Sequence, residues 1–394
     1  MNRLRNAWAT LREPLALFLA TRLPLLFAMY AGMVLLPFEP KDGQWRARVE
    51  NLWVDGWFRW DAGWYGHLVT EGYSAVPNGD GQRDVAFWPL FPMLARLVCK
   101  VLGVGHGGHV LVMFTMNLVL LAGATVFIHL LARERLRVPD DEERTESRAR
   151  LVTLLFLLYP YGMYYSAGYS EATYLFFLLG TLYFAAKERW PLAGLMAGFS
   201  TASRGVAVTT ALALGLAYLE SKKWKLANVK RDVLWLGLAG LGVAAYSVYL
   251  WRAFGEPFAF ADSFSARGWG ADVTTERLFA TLRAMVDVEA WITGKTRFQD
   301  IGCLTAFVVV ALLTVLGARR RKVHETVFAA ATLFVYAKMW PTSGRYVGTV
   351  FPVYFTLAEL LERRPNARVF VLATSTMLVA LFAVAFSHWA WLSG

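Results

Sequence analysis

Residues 369–392 read VFVLATSTMLVALFAVAFSHWAWL. One histidine interrupts the run; no Lys, Arg, Asp or Glu does, and Trp389 and Trp391 stand at its far end. A helix needs roughly 20 residues to cross about 30 Å of hydrocarbon, so this stretch is long enough to span a membrane. Leu304–Gly317, Val233–Tyr249 and Val110–Ala132 repeat the pattern. The composition agrees: 57% of residues are hydrophobic and 18% charged, against roughly 45–50% and about 25% in soluble domains. The sequence predicts an all-α, polytopic transmembrane helical bundle of about 10–11 membrane helices with two long outer loops. It reads as a single integral membrane domain over 1–394, with no clear internal repeat.

The net charge of +11 does not indicate nucleic acid, because the Lys and Arg residues gather in short connectors between apolar runs. That is the distribution of cytoplasmic loops. Met1–Glu13, Arg133–Arg150, Lys222–Arg231, Arg319–Lys322 and Glu362–Arg368 are therefore assigned to one, cytoplasmic, side. The other side receives the loops 39–84 and 255–300, expected to cap an active site, and the turn Pro341–Arg345. The apolar stretch Pro14–Phe38 is too long for a cleavable signal, and Arg22 interrupts it. Cys99 and Cys303 lack metal-binding or redox spacing and read as inert buried thiols, with a disulfide as the alternative.

Lys187 to Leu219 is too short for two full spans, and its middle, Ser200 to Gly205, is small and polar. Two short helices meeting at a break within the membrane fit this pattern. Such a break must be packed in protein or face a water-filled cavity.

The first outer loop holds LWVDGWFRWDAGWYGHLVTEGY, residues 52–73. Trp53, Trp57, Trp60, Trp64 and Leu68 recur at helical spacing and predict an interfacial amphipathic helix. Asp61 lies among the rings of that helix. A carboxylate beside so much aromatic surface loses solvation and is suited to accept a proton; the alternative is a helix-capping Asp.

Four stretches and one cation resemble the PIG-V-like mannosyltransferases, relatives of the enzyme that adds the second mannose in glycosylphosphatidylinositol anchor synthesis. They are RWDAGWYGHLVTEGY at 59–73 followed by AFWPLFPML at 86–94, YPYGMYYSAGYSEATYLF at 159–176, Arg204 in the small-residue break, and RYVGTVFPVYFTLA at 345–358. The resemblance implies a multispanning glycosyltransferase of the GT-C class. It would take mannose from a polyprenyl-phosphate donor, with inversion, using Asp61 as base. Arg59, Trp60, Trp64, Tyr65, Glu171, Arg204, Lys338, Arg345 and Tyr346 would contact substrate.

Elementary chemistry agrees with that assignment. An attacking hydroxyl needs one general base, whereas a lipid phosphate leaves without a general acid but needs cations to hold it. Charges within spanning segments are costly, which singles out Arg204, Lys338 and Arg345; the latter two could equally snorkel at helix ends. Glu171 could cap a helix, orient acceptor hydroxyls or pair with an arginine. No cofactor is implied. His67 and Glu71 have metal-compatible spacing without an evident third ligand, and Asp287 and Glu289 read as a solvated loop helix. The expected partners are a polyprenyl-phosphate sugar donor, membrane lipids, and an acceptor that is a glycan, a lipid or a protein. The expected location is the cell membrane in a prokaryote, with the site on the outer face. Rival readings are the same fold with another lipid-linked sugar, and a transporter or lipid flippase.

Overall fold

The computed structural model describes residues 2–37, 40–41, 43–74, 76–78, 81–105, 107–265, 275–337, 343–390 and 392. Lys338, predicted to contact substrate, lies outside them, as does Trp391.

Among the described residues the chain is helical throughout, with no strand. The first half runs α1 (Asn2–Leu35), α2 (Leu52–Asp55), α3 (Asp61–Thr70), α4 (Leu90–Leu102), α5 (His109–Arg135), α6 (Glu142–Leu157), α7 (Glu171–Ala186), α8 (Trp190–Thr201) and α9 (Val208–Ser221). The second half runs α10 (Leu241–Phe254), α11 (Ala259–Ser265), α12 (Thr275–Val286), α13 (Val288–Ile292), α14 (Phe298–Gly317), α15 (Val323–Ala337), α16 (Ser343–Val347), α17 (Pro352–Glu362) and α18 (Pro365–Ser387). Five segments are long and apolar enough to cross a membrane: Thr10–Leu35, His109–Arg135, Arg231–Phe254, Phe298–Gly317 and Pro365–Ser387. Shorter apolar helices, including α7 and α15, fill the bundle between them. Among the described residues the apolar helices thus comprise five full-length and three abbreviated ones.

The basic connectors collect at one end. Arg150 pairs with Glu13 at 2.6 Å, and Arg144 and Arg148 both reach Glu362, at 2.6 and 2.7 Å. Arg135 holds Glu325 at 2.6 Å, and His324 meets Glu220. At the other end Arg83 of the first long loop pairs with Glu256 of the second at 2.8 Å. The partition into two sets of loops follows the sequence expectation.

The break in 187–219 is present. Helix α8 ends at Thr201, Arg204 is extended (φ −158°, ψ 147°), and a short 3-10 turn at Gly205–Ala207 leads into α9. Its polar groups are satisfied by protein: Ala202 O accepts from Leu90 N at 3.0 Å, and the Thr201 hydroxyl donates to Ala239 O at 2.7 Å. Behind the break a 3-10 segment, Arg231–Gly240, lies against α8. Gly194 and Gly198 make that approach possible. A Cβ on Gly198 would sit 2.7 Å from Leu238 O, and one on Gly194 would collide with Trp235 O. Small residues four apart allow such backbone contact between membrane helices.

Two polar residues in spans, Arg22 and Asn117, tie the bundle together. Arg22 of α1 is buried and donates to Gly162 O at 3.2 Å and to Leu157 O at the end of α6. That terminus carries partial negative charge, which the guanidinium offsets. Asn117 of α5 donates to Tyr169 O at 2.9 Å and to Ala167 O, fixing the segment that enters α7. Cys99 and Cys303 are buried and unlinked, as expected.

Candidate active site

The predicted continuous helix over the first-loop tryptophans is not formed. Helix α2 stops at Asp55 and α3 starts at Asp61. Tertiary contacts take the intervening carbonyls: Trp57 O accepts from Gly168 N at 3.1 Å, and Arg59 O from the Tyr169 hydroxyl at 3.1 Å. Trp60 turns the chain with φ 54° and ψ −122°, a conformation that costs a non-glycine residue energy. The tryptophans consequently do not share a face. Trp57 is fully buried, while Trp53 is 46% exposed and stacks on Tyr30 of α1, centroids 4.1 Å apart.

Asp55 anchors this reversal. Its carboxylate accepts from Arg59 Nη2 at 2.8 Å, Arg46 Nε at 3.0 Å and Arg48 N at 2.9 Å. Burial pushes the carboxyl up, but the charge and hydrogen bonds of Arg59 and the other donors outweigh it and hold it below its ordinary range. Arg59, predicted to touch substrate, is wholly buried and also donates to Ser387 O of α18 at 2.9 Å. Its position makes it a clamp between the first loop and the last helix rather than a ligand contact.

Asp61 is the first residue of α3, one position beyond the N-cap, which Trp60 holds. Its Oδ2 accepts from Arg345 Nη2 at 2.7 Å. Among the described residues none donates to Oδ1. Glu171 likewise opens α7, one position beyond the N-cap Ser170, and it is fully buried. Glu171 Oε1 lies 2.6 Å from Arg204 Nη1 and 3.8 Å from Arg345 Nε. Asp61, Arg345, Glu171 and Arg204 thus form one chain of alternating charge, assembled from α3, α16, α7 and the membrane break. The positive ends of α3 and α7 both face it, favouring the two carboxylates.

Tyrosines wall this quartet. Arg345 lies over the rings of Tyr346, Tyr169 and Tyr164 at 4.6, 5.0 and 5.5 Å, and its Nη2 donates to the Tyr346 hydroxyl at 2.6 Å. Arg204 lies over Tyr346 at 5.0 Å. Tyr65 is buried and donates to Ser170 Oγ at 2.8 Å; burial pushes its phenol well up, keeping it a neutral donor. Tyr169 donates to Arg59 O and accepts from Asp61 N at 3.2 Å, fixing the start of α3. The quartet is not sealed: the side chains of Asp61 and Arg204 keep 16% and 14% of their exposure.

The structure therefore brings together Asp61, Tyr65, Glu171, Arg204, Arg345 and Tyr346 of the predicted residues. Trp60 and Trp64 line a separate cleft on the other side of α3. Sequence reading did not assign Tyr164, Tyr169, Ser170 or Asn117. The lone amide in the apolar run of α5 was the available signal for Asn117. Asp287 caps α13, its Oδ1 accepting from Ala290 N at 2.9 Å, and Glu289 is exposed, as a solvated loop helix requires. Among the described residues no group of three or more His, Cys, Asp or Glu side chains is placed to hold a metal ion.

The model of one protein family, described as mannosyltransferase (PIG-V), matches residues 19–234. That range includes Asp61, Glu171 and Arg204 but not Arg345. Comparison with curated proteins finds no match. Among solved structures the chain is similar to the Archaeoglobus fulgidus oligosaccharyltransferase AglB in complex with an inhibitory peptide and a dolichol-phosphate. The identity is 13% and the TM-score 0.42, covering 94% of this chain and 56% of that one. The apo form of the Archaeoglobus fulgidus oligosaccharyltransferase gives 14% and 0.42, with 94% and 56% covered. The chain spans about half the length of these structures.

Proposed function

The chain belongs to the mannosyltransferase (PIG-V) family, and from that premise we propose that it moves a mannosyl residue from a polyprenyl-phosphate donor to an acceptor hydroxyl in a single inverting displacement. The observation that carries this reading is the four-member charge chain of Asp61, Arg345, Glu171 and Arg204. It sets one partly accessible carboxylate beside two arginines at the loop end of a membrane bundle. That is the pairing of base and phosphate clamp that the reaction needs.

Asp61 takes the proton from the acceptor hydroxyl, whose oxygen bonds to the anomeric carbon. The bond from that carbon to the phosphate oxygen breaks on the opposite face, and its electron pair leaves on the polyprenyl phosphate. Arg345 and Arg204 hold that phosphate; a planar guanidinium offers two parallel donors to it. Before donor binds, Glu171 and Asp61 hold the two cations, so neither is buried unpaired. An arriving phosphate competes for Arg345 and frees Asp61 Oδ2 for the acceptor. The tyrosine walls exclude water that would otherwise intercept the sugar. The reaction runs on the outer face, opposite the basic connectors.

The test is radiolabelled polyprenyl-phosphate mannose added to membranes containing the protein. Transfer of label to a lipid, glycan or protein, in a product whose anomeric configuration is opposite to the donor's, supports the reading. Movement of intact donor across the membrane without chemistry contradicts it.

A further inference from the structure

Helix α3 has two unlike faces. At 3.6 residues per turn, Asp61, Tyr65 and Leu68 point one way, toward the charge chain and the core. Gly63, Gly66, His67 and Thr70 point the opposite way, into an open cleft of about 620 Å³. That volume falls within the range of roughly 300–1,000 Å³ usual for small-molecule sites. Trp45, Trp60 and Trp64 supply its aromatic walls, and His67, Thr70 and His109 its polar groups. Two of the indoles are braced from behind: Trp45 and Trp60 both meet the ring of Trp389 edge-on, at 5.6 and 5.2 Å. The glycines keep the helix floor flat.

Among the described residues that line it, none is Lys, Arg, Asp or Glu. The two arginines that flank the lining residue Ala47 are engaged elsewhere: Arg46 pairs with Asp55 at 3.0 Å, and Arg48 donates to Gly107 O at 3.0 Å and pairs with Glu50. A phosphate finds no counter-charge here; its cations lie on the other face of α3. Flat aromatic rings with a few hydrogen-bonding groups and no formal charge suit a neutral saccharide, whose C–H faces stack on indole while its hydroxyls reach polar atoms. Trp60 joins the two sites. It lines the cleft, immediately precedes Asp61, and its positive φ turns the chain at the corner between them.

We propose that this cleft binds the uncharged glycan portion of the acceptor and leads its reactive hydroxyl around the start of α3 to Asp61. The assignment rests on the transferase reading above and adds to it the acceptor's chemical class: a saccharide chain, not a phosphorylated headgroup.

Gly66 gives the cleanest test. A Cβ there would stand 3.5 Å from His109 Nε2, an ordinary contact, and leucine is a better helix former than glycine. Gly66→Leu therefore fills the cleft without breaking α3. Mannobiose is titrated against the full-length protein in nanodiscs, and saturation-transfer NMR reads its ring protons. The parent protein and Asp61→Asn are expected to give saturable transfer; Gly66→Leu and Trp45→Ala are expected to weaken it by about tenfold or more. Melting temperature and binding of a short-chain prenyl phosphate stay at parental values in Gly66→Leu. Absence of saturable binding to the parent, or binding that Gly66→Leu leaves intact, overturns the proposal. Failure of the transferase reading is distinct: the parent binds mannobiose but consumes no polyprenyl-phosphate mannose.

Discussion

Asp61 and Glu171 occupy equivalent positions, each the first residue of a helix, yet the structure gives them different freedom. Glu171 is fully buried between two guanidinium groups, whereas Asp61 keeps an edge toward solvent and an oxygen that accepts from no described residue. Position in the cluster thus separates the carboxylate proposed to hold the cations from the one proposed to react. Arg204→Ala leaves Glu171 buried with its closest cation gone, which is expected to cost about 3–5 kcal/mol, read as a lowered melting temperature. The double variant Arg204→Leu with Glu171→Gln removes both charges and is expected to regain most of that stability, while the KM for donor remains raised at least about tenfold. Full recovery of donor use along with stability would reduce Arg204 to a structural partner of Glu171. At this scale the sequence was informative where chemistry is local: an acid among aromatic rings, and a cation in a membrane break. It could not disclose that Arg345 meets Asp61, because the two are 284 residues apart and only the bundle brings them together. Nor could it show that Arg59 turns inward, since an arginine beside the key acid reads equally as a ligand contact and as a clamp.

At the scale of elements, the legible features were those with a periodic or compositional mark. The apolar runs of α5, α14 and α18 and the two short helices around Arg204 appear where composition placed them. The tryptophan-rich helix does not, because helical spacing speaks only for local preference. Backbone groups of Trp57 and Arg59 instead bond to the segment leading into α7. Asp55 is the residue on which that rearrangement depends. Asp55→Asn leaves the Arg59 charge buried opposite a neutral group and is expected to lower the melting temperature and, by loosening the approach to Asp61, turnover as well. Parental stability and kinetics would show that the first loop is held by other contacts. The α8 packing gives a second expectation. Gly194→Leu forces the helix away from the carbonyl of Trp235 and should abolish stable insertion, measured as loss of a monodisperse purified species.

Across the whole molecule, ion pairs sort the loops into two ends, and their titration should be visible. Hydrogen bonds from Arg148 and Arg144 hold the Glu362 carboxyl down to about 2, below its ordinary range near 4.3. A depressed carboxyl contributes stability that is fully present above the ordinary value and is lost as pH falls from roughly 4 toward 2. Glu362→Gln should lower the melting temperature at neutral pH and flatten its decline over that interval; an unchanged profile would mean the pair contributes nothing. On the proposed orientation, the end that carries the basic connectors is cytoplasmic. A single cysteine at Asn78, introduced after replacement of Cys99 and Cys303, should react with an impermeant reagent added from outside, and one at Arg320 should not. The reverse pattern would put the chemistry on the cytoplasmic face.

The central claim is that Asp61 is the base in mannosyl transfer. The most direct test is the turnover of polyprenyl-phosphate mannose by purified Asp61→Asn beside the parent, with melting temperature recorded for both. Asparagine keeps the side chain's shape and can still accept from Arg345, but it cannot take up the acceptor's proton. The account predicts a folded protein whose kcat is lower by about a hundredfold or more, as removal of a general base requires. A folded Asp61→Asn protein turning over within a few-fold of the parent would contradict it.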